Sequence, residues 1–184
     1  MKAYPKISLT GDLGSGKSHL SQLLSQKLGF RIVSTGVIQR EIAAKHGMTT
    51  LQLNDYTKTH PEIDDEIDGQ VSKLQEQAES LIFDSRLAWH FAPASFKIYL
   101  TVDAEEAAKR IFQDDRESEK YHSMEEARNK ILARRTSEVE RFKNYYHIDY
   151  ADLKNYDIVV DTTRKSPQEV CEIILEAFER WKNT

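Results

Sequence analysis

The chain has 184 residues, 39% hydrophobic and 30% charged, with 7 Gly and 4 Pro, which fits one soluble globular domain and excludes a fibrous repeat or a disordered tract. Its formal net charge of -4 argues against a polynucleotide-binding surface, since phosphate-backbone binders carry a basic excess.

Lys6-Ile7-Ser8-Leu9-Thr10 is short and β-prone, and the glycines at 11, 14 and 16 break it before a helical pattern begins. In that pattern Leu20, Leu23, Leu24 and Leu28 recur at helical spacing and Gly29 supplies the stop. Arg31-Ile32-Val33-Ser34 reads as a second strand. From Gly36 to about Glu79 the sequence is polar and helix-prone, interrupted at Gly47 and His60-Pro61, with a Thr49-x-x-Gln52 box opening one piece; two or three short helices are expected there.

Ser80-Leu81-Ile82-Phe83-Asp84 and Phe96-Lys97-Ile98-Tyr99-Leu100 read as buried strands of a parallel sheet. Asp103 with Glu106, Ser123 with Glu126 and Ser166 with Glu169 have capping-box spacing, and Pro167 sits at the favoured first helical position. Asp157-Ile158-Val159-Val160-Asp161 supplies a fifth strand. The last helix then carries an apolar stripe of Val170, Ile173, Ile174, Ala177, Phe178 and Trp181. Strands alternating with helices imply an α/β fold, a parallel sheet covered on both faces with ligands at the carboxyl ends of its strands.

The single cysteine, Cys171, excludes an intrachain disulfide, fits a reducing compartment, and reads as a packing residue beside the last helix's stripe. The histidines are scattered, with no pair at metal-ligand spacing, so a protein-built transition-metal site is not expected. The chain shows neither a cleavable leader pattern nor an apolar run long enough to span a bilayer, so a cytoplasmic protein without membrane contact is expected.

Gly11-Asp12-Leu13-Gly14-Ser15-Gly16-Lys17-Ser18 matches the full G-x-x-x-x-G-K-S pattern in the strand–loop–helix setting that the pattern needs. Glycines let the backbone wrap phosphates closely, so that successive N–H groups and the helix N-terminus face negative charge. Lys17 is expected at the β and γ phosphates of a nucleoside triphosphate. Ser18 is expected to hold Mg²⁺ through its hydroxyl. With His19 these residues form the expected ATP-binding set. No Asn-Lys-x-Asp guanine signature occurs; Asn129-Lys130 runs on into Ile131-Leu132.

Ser34-Thr35-Gly36 with Arg40 follows the second strand, and Asp84-Ser85-Arg86 ends the third. A carboxylate at that rim can hold magnesium or its water, and a guanidinium fork can grip a phosphate bidentately. In the order cradle, Ser34-Thr35-Gly36, Arg40-Glu41, Gly47-Met48, His60-Pro61-Glu62-Ile63-Asp64, Ser85-Arg86-Leu87-Ala88, Arg134, Ser137-Glu138, Arg141, Ile148-Asp149 and Tyr156 to Thr162, the chain resembles the nucleoside monophosphate kinases. Within them it is most similar to the compact cytidylate kinases typical of archaea. The resemblance covers nearly the whole chain.

The resemblance implies a three-layer P-loop NTPase fold in one domain over residues 1–184, with an acceptor-binding helical region over about 36–79 and a lid over about 113–141. It implies a monomer that uses ATP with Mg²⁺ to phosphorylate CMP or dCMP, giving ADP and CDP or dCDP, and that binds no nucleic acid polymer. Ser34, Gly36, Arg40, Asp64, Asp68, Asp84 and Arg86 form the implied acceptor set, with Ser18 and Asp84 at the metal. Asp64 and Asp68 are candidates for the cytosine edge because a carboxylate accepts from the exocyclic amine; they read equally as solvated acids on a surface helix. Two positions depart from the family pattern: Val37 replaces an acidic residue, and His147 replaces a glycine.

Arg110, Arg116, Arg128, Arg134, Arg135 and Arg141 crowd the segment between the fourth and fifth strands. Arg134 and Arg141 share one helix face and Arg128 and Arg135 another; the resemblance taken with this geometry implies that Arg134 and Arg141 face ligand, Arg110 next, while the other helical pair is expected to face solvent. Lys17, Arg86, Arg110, Arg134 and Arg141 are the expected catalytic set. A P-loop kinase for another small acceptor and a nucleotide-binding module without transferase activity are the alternatives that the sequence leaves open.

Overall fold

The computed structural model describes residues 4–113 and 121–183; Arg116 and part of the expected lid lie outside them. Five parallel strands, β1 (Lys6–Gly11), β2 (Arg31–Ser34), β3 (Leu81–Asp84), β4 (Phe96–Thr101) and β5 (Ile158–Asp161), form one sheet in the order β2-β3-β1-β4-β5. The α/β class and the strand positions read from the sequence are those of the structure, to within one residue at each end.

Alternation along the strands sets the layers. Ile82 of β3 joins Ile7, Leu9, Ile98 and Leu100 on the face covered by α1 (Lys17–Leu28) and α8 (Pro167–Lys182), which contribute Leu20, Leu24, Val170, Ile174 and Phe178. Its neighbours Leu81 and Phe83 point to the other face, against Val71 of α4 (Glu62–Gln75) and Ala88 of the short α5 (Ala88–Phe91). Cys171 is buried in the first of these layers, as a packing residue.

Between β2 and β3 the chain makes three helices, α2 (Thr35–Lys45), α3 (Thr50–Tyr56) and α4, tied together by Ile42, Ala43, Leu53, Ile63 and Ile67. The Thr49–Gln52 box caps α3 in both directions. After β4 come α6 (Ala104–Gln113) and the long α7 (Met124–Tyr146), followed by a 3-10 turn at Leu153–Asn155. Phe142 of α7 and Tyr150 beyond it pack on Leu87, Trp89 and Tyr99, fixing α7 over the carboxyl end of the sheet. Ser166 and Glu169 form a full reciprocal cap. At the other two boxes the N-cap side chain accepts from the helix, while the glutamate goes elsewhere: Glu106 pairs with Arg110, and Glu126 accepts from the backbone N–H of His122. Among the described residues no helix is long and apolar enough to cross a membrane.

Candidate active site

A cavity of about 660 Å³ opens at the carboxyl ends of β1, β2 and β3, between the loop that follows β1, helices α2 and α4, and α7. The loop is pinned closely. A Cβ on Gly11 would lie 2.5 Å from the carbonyl oxygen of Leu100, and one on Gly14 would lie 2.9 Å from the backbone of Ala107 in α6, so neither position accepts a side chain. Leu13, Gly14, Gly16, Lys17, Ser18 and His19 line the cavity. Gly11, Asp12 and Ser15 shape the loop from behind: buried Ser15 donates its hydroxyl to the Asp12 carbonyl at 2.7 Å.

The Asp12 carboxylate is turned away from the cavity. It accepts from the Tyr99 hydroxyl at 2.9 Å and lies 3.4 Å from Arg135. Arg135 is therefore not a purely solvent-facing residue, as its helix face implied; it ties α7 to the loop. Lys17 donates to the carbonyls of Gly11 and Asp12 at 2.9 and 3.0 Å. Burial, assisted by the guanidinium of Arg86, lowers its ammonium to about 7. A polyphosphate alongside would restore the charge.

Ser18 Oγ donates to Asp84 Oδ2 at 3.5 Å, so a hydroxyl and a carboxylate stand together beside the loop. Among the described residues no cluster of three or more His, Cys, Asp or Glu suits a metal. Two protein oxygens fit magnesium, which takes few protein ligands and keeps water and phosphate oxygens. Val37 is exposed and lies outside the cavity lining.

Across the cavity, Glu138 of α7 is 8% exposed and forms a node. Its carboxylate accepts from Arg86 Nε at 2.9 Å, from Arg134 Nε at 3.0 Å and from the Tyr150 hydroxyl at 3.4 Å. Burial would raise this carboxyl, but Arg86 and Arg134 outweigh it and hold it at about 2. Arg86 also donates to the Gly11 carbonyl at 3.1 Å, which locks its fork beside Lys17. Glu138 enters the sequence reading only within the Ser137-Glu138 segment of the resemblance, with no site role; its helical-turn spacing from Arg134 is a further local signal.

The remaining lining comes from Ser34, Gly36 and Arg40 on the α2 side and from Asp64 and Asp68 on α4. Arg40 is exposed on the rim, and a Cβ on Gly36 would lie in ordinary contact with Arg40 Nη1 at 3.7 Å. Asp64 and Asp68 are buried, so they are not the solvated surface acids of the second sequence reading. Arg141 reaches them from α7, with Nε 3.5 Å from Asp64 Oδ2 and Nη1 donating to Thr57 Oγ1. Its Nε has no hydrogen-bond partner. Tyr146, also unread in the sequence, donates its hydroxyl to Asp68 Oδ2 at 2.9 Å. Burial raises both carboxyls, Asp68 to about 7, against the opposing effects of Tyr146 and Arg141.

Arg134 and Arg141 line the cavity and Arg128 is exposed outside it. Arg110 also lines it, yet its guanidinium donates to Gly14, Thr162 and Thr163 carbonyls at 3.4, 2.8 and 3.2 Å, and to Glu106 at 2.9 Å. In this arrangement it tethers the phosphate loop to the segment after β5.

A family model described as an AAA domain matches residues 7–131. Cytidylate kinase from Sulfolobus acidocaldarius is 37% identical over 177 residues, covering 95% of this chain and 94% of that one. An S-adenosylmethionine-dependent nucleotide dehydratase from Lacinutrix mariniflava is 34% identical over 177 residues; this chain is matched over 95% of its length but spans only 36% of that protein. The solved shikimate kinase from Bacteroides thetaiotaomicron shares the fold, with a TM-score of 0.64 at 14% identity over 95% of this chain and 98% of that one.

Proposed function

Because this chain belongs to the cytidylate kinase family of P-loop kinases, we propose that it transfers the γ-phosphate of ATP to CMP or dCMP, as a single domain whose acceptor region is about 36–79 and whose lid is about 113–141. The observation that carries this reading is that one cavity is lined by the phosphate loop at one end and by Arg40, Asp64 and Asp68 at the other.

An oxygen of the acceptor phosphate attacks the γ-phosphorus, the bond to the β–γ bridging oxygen breaks, and ADP leaves with that electron pair. Such transfer needs alignment and charge neutralisation and no nucleophilic side chain. Lys17 and the loop N–H groups take the donor phosphates. Arg86 and Arg134, oriented by Glu138, face the transferring group, and Arg40 with Arg86 holds the acceptor phosphate. Ser18 and Asp84 are the residues placed to hold magnesium, which would neutralise phosphate charge when bound. Asp64 and Asp68, with Arg141, take the base. α7 covers these groups and keeps water from the γ-phosphorus. Arg110, engaged by backbone carbonyls, supports the loop and the nucleotide side.

The test is a steady-state comparison of CMP, dCMP, UMP, AMP and GMP as acceptors with MgATP, following ADP and the new diphosphate. CMP or dCMP is expected to give the highest kcat/KM, and activity on none of the five would sink the proposal.

A further inference from the structure

At the base end of the cavity the charges do not balance. Asp64 and Asp68 lie one helical turn apart on α4, both buried and both lining the cavity. Asp65, their neighbour on α4, accepts from the exposed Tyr145 at 2.8 Å. From α7 the pair is faced by Arg141 and Tyr146, with Glu138 further off and already committed to Arg86 and Arg134. Arg40 and Glu41 of α2 and His90 of α5 are exposed. Among the described residues one buried cation thus serves two buried carboxylates, and it sits by Asp64. The hydrogen bond that the Asp68 carboxyl makes among them is from the neutral Tyr146 hydroxyl, to Oδ2, which leaves Oδ1 as the oxygen to carry a proton.

We propose that the two aspartates act as unlike halves of one reader: Asp64, ionised beside Arg141, accepts from the cytosine N4 amine, while Asp68 is a carboxylic acid whose Oδ1–H donates to cytosine N3. This rests on the reading that the base lies against this pair. Cytosine offers a donor at N4 and an acceptor at N3, whereas uracil offers an acceptor at O4 and a donor at N3–H, so the same arrangement meets uracil with like groups facing. Asp68 is therefore the specificity-determining residue, and Tyr146 is a positioning residue that fixes which oxygen carries the proton. Burial supplies the cause: a second negative charge in this enclosed place costs more than binding a proton from solvent.

The discriminating quantity is the ratio of kcat/KM for CMP to that for UMP, between about pH 6 and 8.5. The acceptor phosphate titrates near 6 in both nucleotides, and Lys17 serves both, so these effects cancel in the ratio. For the native protein the ratio is expected to be about ten- to a hundredfold in favour of CMP at the acid end. It then falls by about tenfold per pH unit once Asp68 ionises, near the value of about 7 that burial gives it. Asp68→Asn donates to N3 at every pH, so its ratio is expected to stay flat. Tyr146→Phe removes a hydrogen bond that favours the carboxylate, so its fall is expected at higher pH.

A native ratio that is flat across this range, while Asp64→Asn or Asp68→Asn still alters nucleotide preference, would overturn the proton placement and leave the base site standing. A ratio untouched by either substitution would overturn the base site with it. Should Asp68→Asn not fold, the direction of the Tyr146→Phe displacement decides alone, and an unshifted or acid-shifted profile counts against the proposal.

Discussion

Glu138 is the residue on which most of the site depends. A buried carboxylate is costly alone, and here two guanidinium groups and a tyrosine hydroxyl surround it. Glu138→Gln leaves Arg86 and Arg134 facing each other without their shared anion, and is expected to destabilise the fold by about 3 to 5 kcal/mol near neutral pH. Because the folded carboxyl is depressed to about 2, its contribution is fully present above the ordinary glutamate value and is lost as pH falls through the folded one. The gap between native and variant, from urea denaturation at a series of pH values, should therefore narrow on going from pH 7 toward pH 3; a constant gap would show that the charge is not the cause. Lys17 and Ser18 were legible in sequence because the loop that uses them is contiguous. Glu138 was not, since Arg86 lies 52 positions away, and Tyr146 stands 78 positions from Asp68. Only the tertiary fold brings those pairs together.

At the scale of elements, strands and capped helices announced themselves, because each carries its own periodicity and end signals. The four-residue α5 has no side-chain cap and is held by the packing of Ala88 and Trp89, whereas the 3-10 turn buries none of its residues and is started by Asp152, whose carboxylate accepts from the Lys154 N–H. Helix α7 ends on His147, whose φ of 58° is left-handed. A glycine would take that conformation without strain, which fits the expectation of glycine there that the resemblance carries. A side chain there costs about 1 to 2 kcal/mol, offset in part by the larger unfolded-state entropy that glycine brings, about 0.4 to 1 kcal/mol. His147→Gly is thus expected to stabilise the chain by a few tenths of a kcal/mol to about 1. A lower urea midpoint in the variant would mean that the imidazole makes a contribution larger than the strain. The other departure, Val37, left the cavity lining untouched, so the oxygen pair of Ser18 and Asp84 stands without it.

Over the whole molecule the charge pattern is uneven. The chain is acidic, at -4, yet Lys17, Arg40, Arg86, Arg110, Arg134 and Arg141 converge on the one cavity, where the acids are Asp64, Asp68, Asp84 and Glu138. An excess of positive charge in a concave, poorly solvated place concentrates anionic substrates there and repels them elsewhere. The central claim is that this cavity holds donor and acceptor nucleotides together, phosphate to phosphate. It is tested most directly by inhibition with adenosine and cytidine joined through their 5′ oxygens by five phosphates. Such a molecule gains from having its second end already at the site, so it should compete with both ATP and CMP and bind more tightly than either. Competition against ATP alone, with CMP kinetics unaffected, would contradict the account.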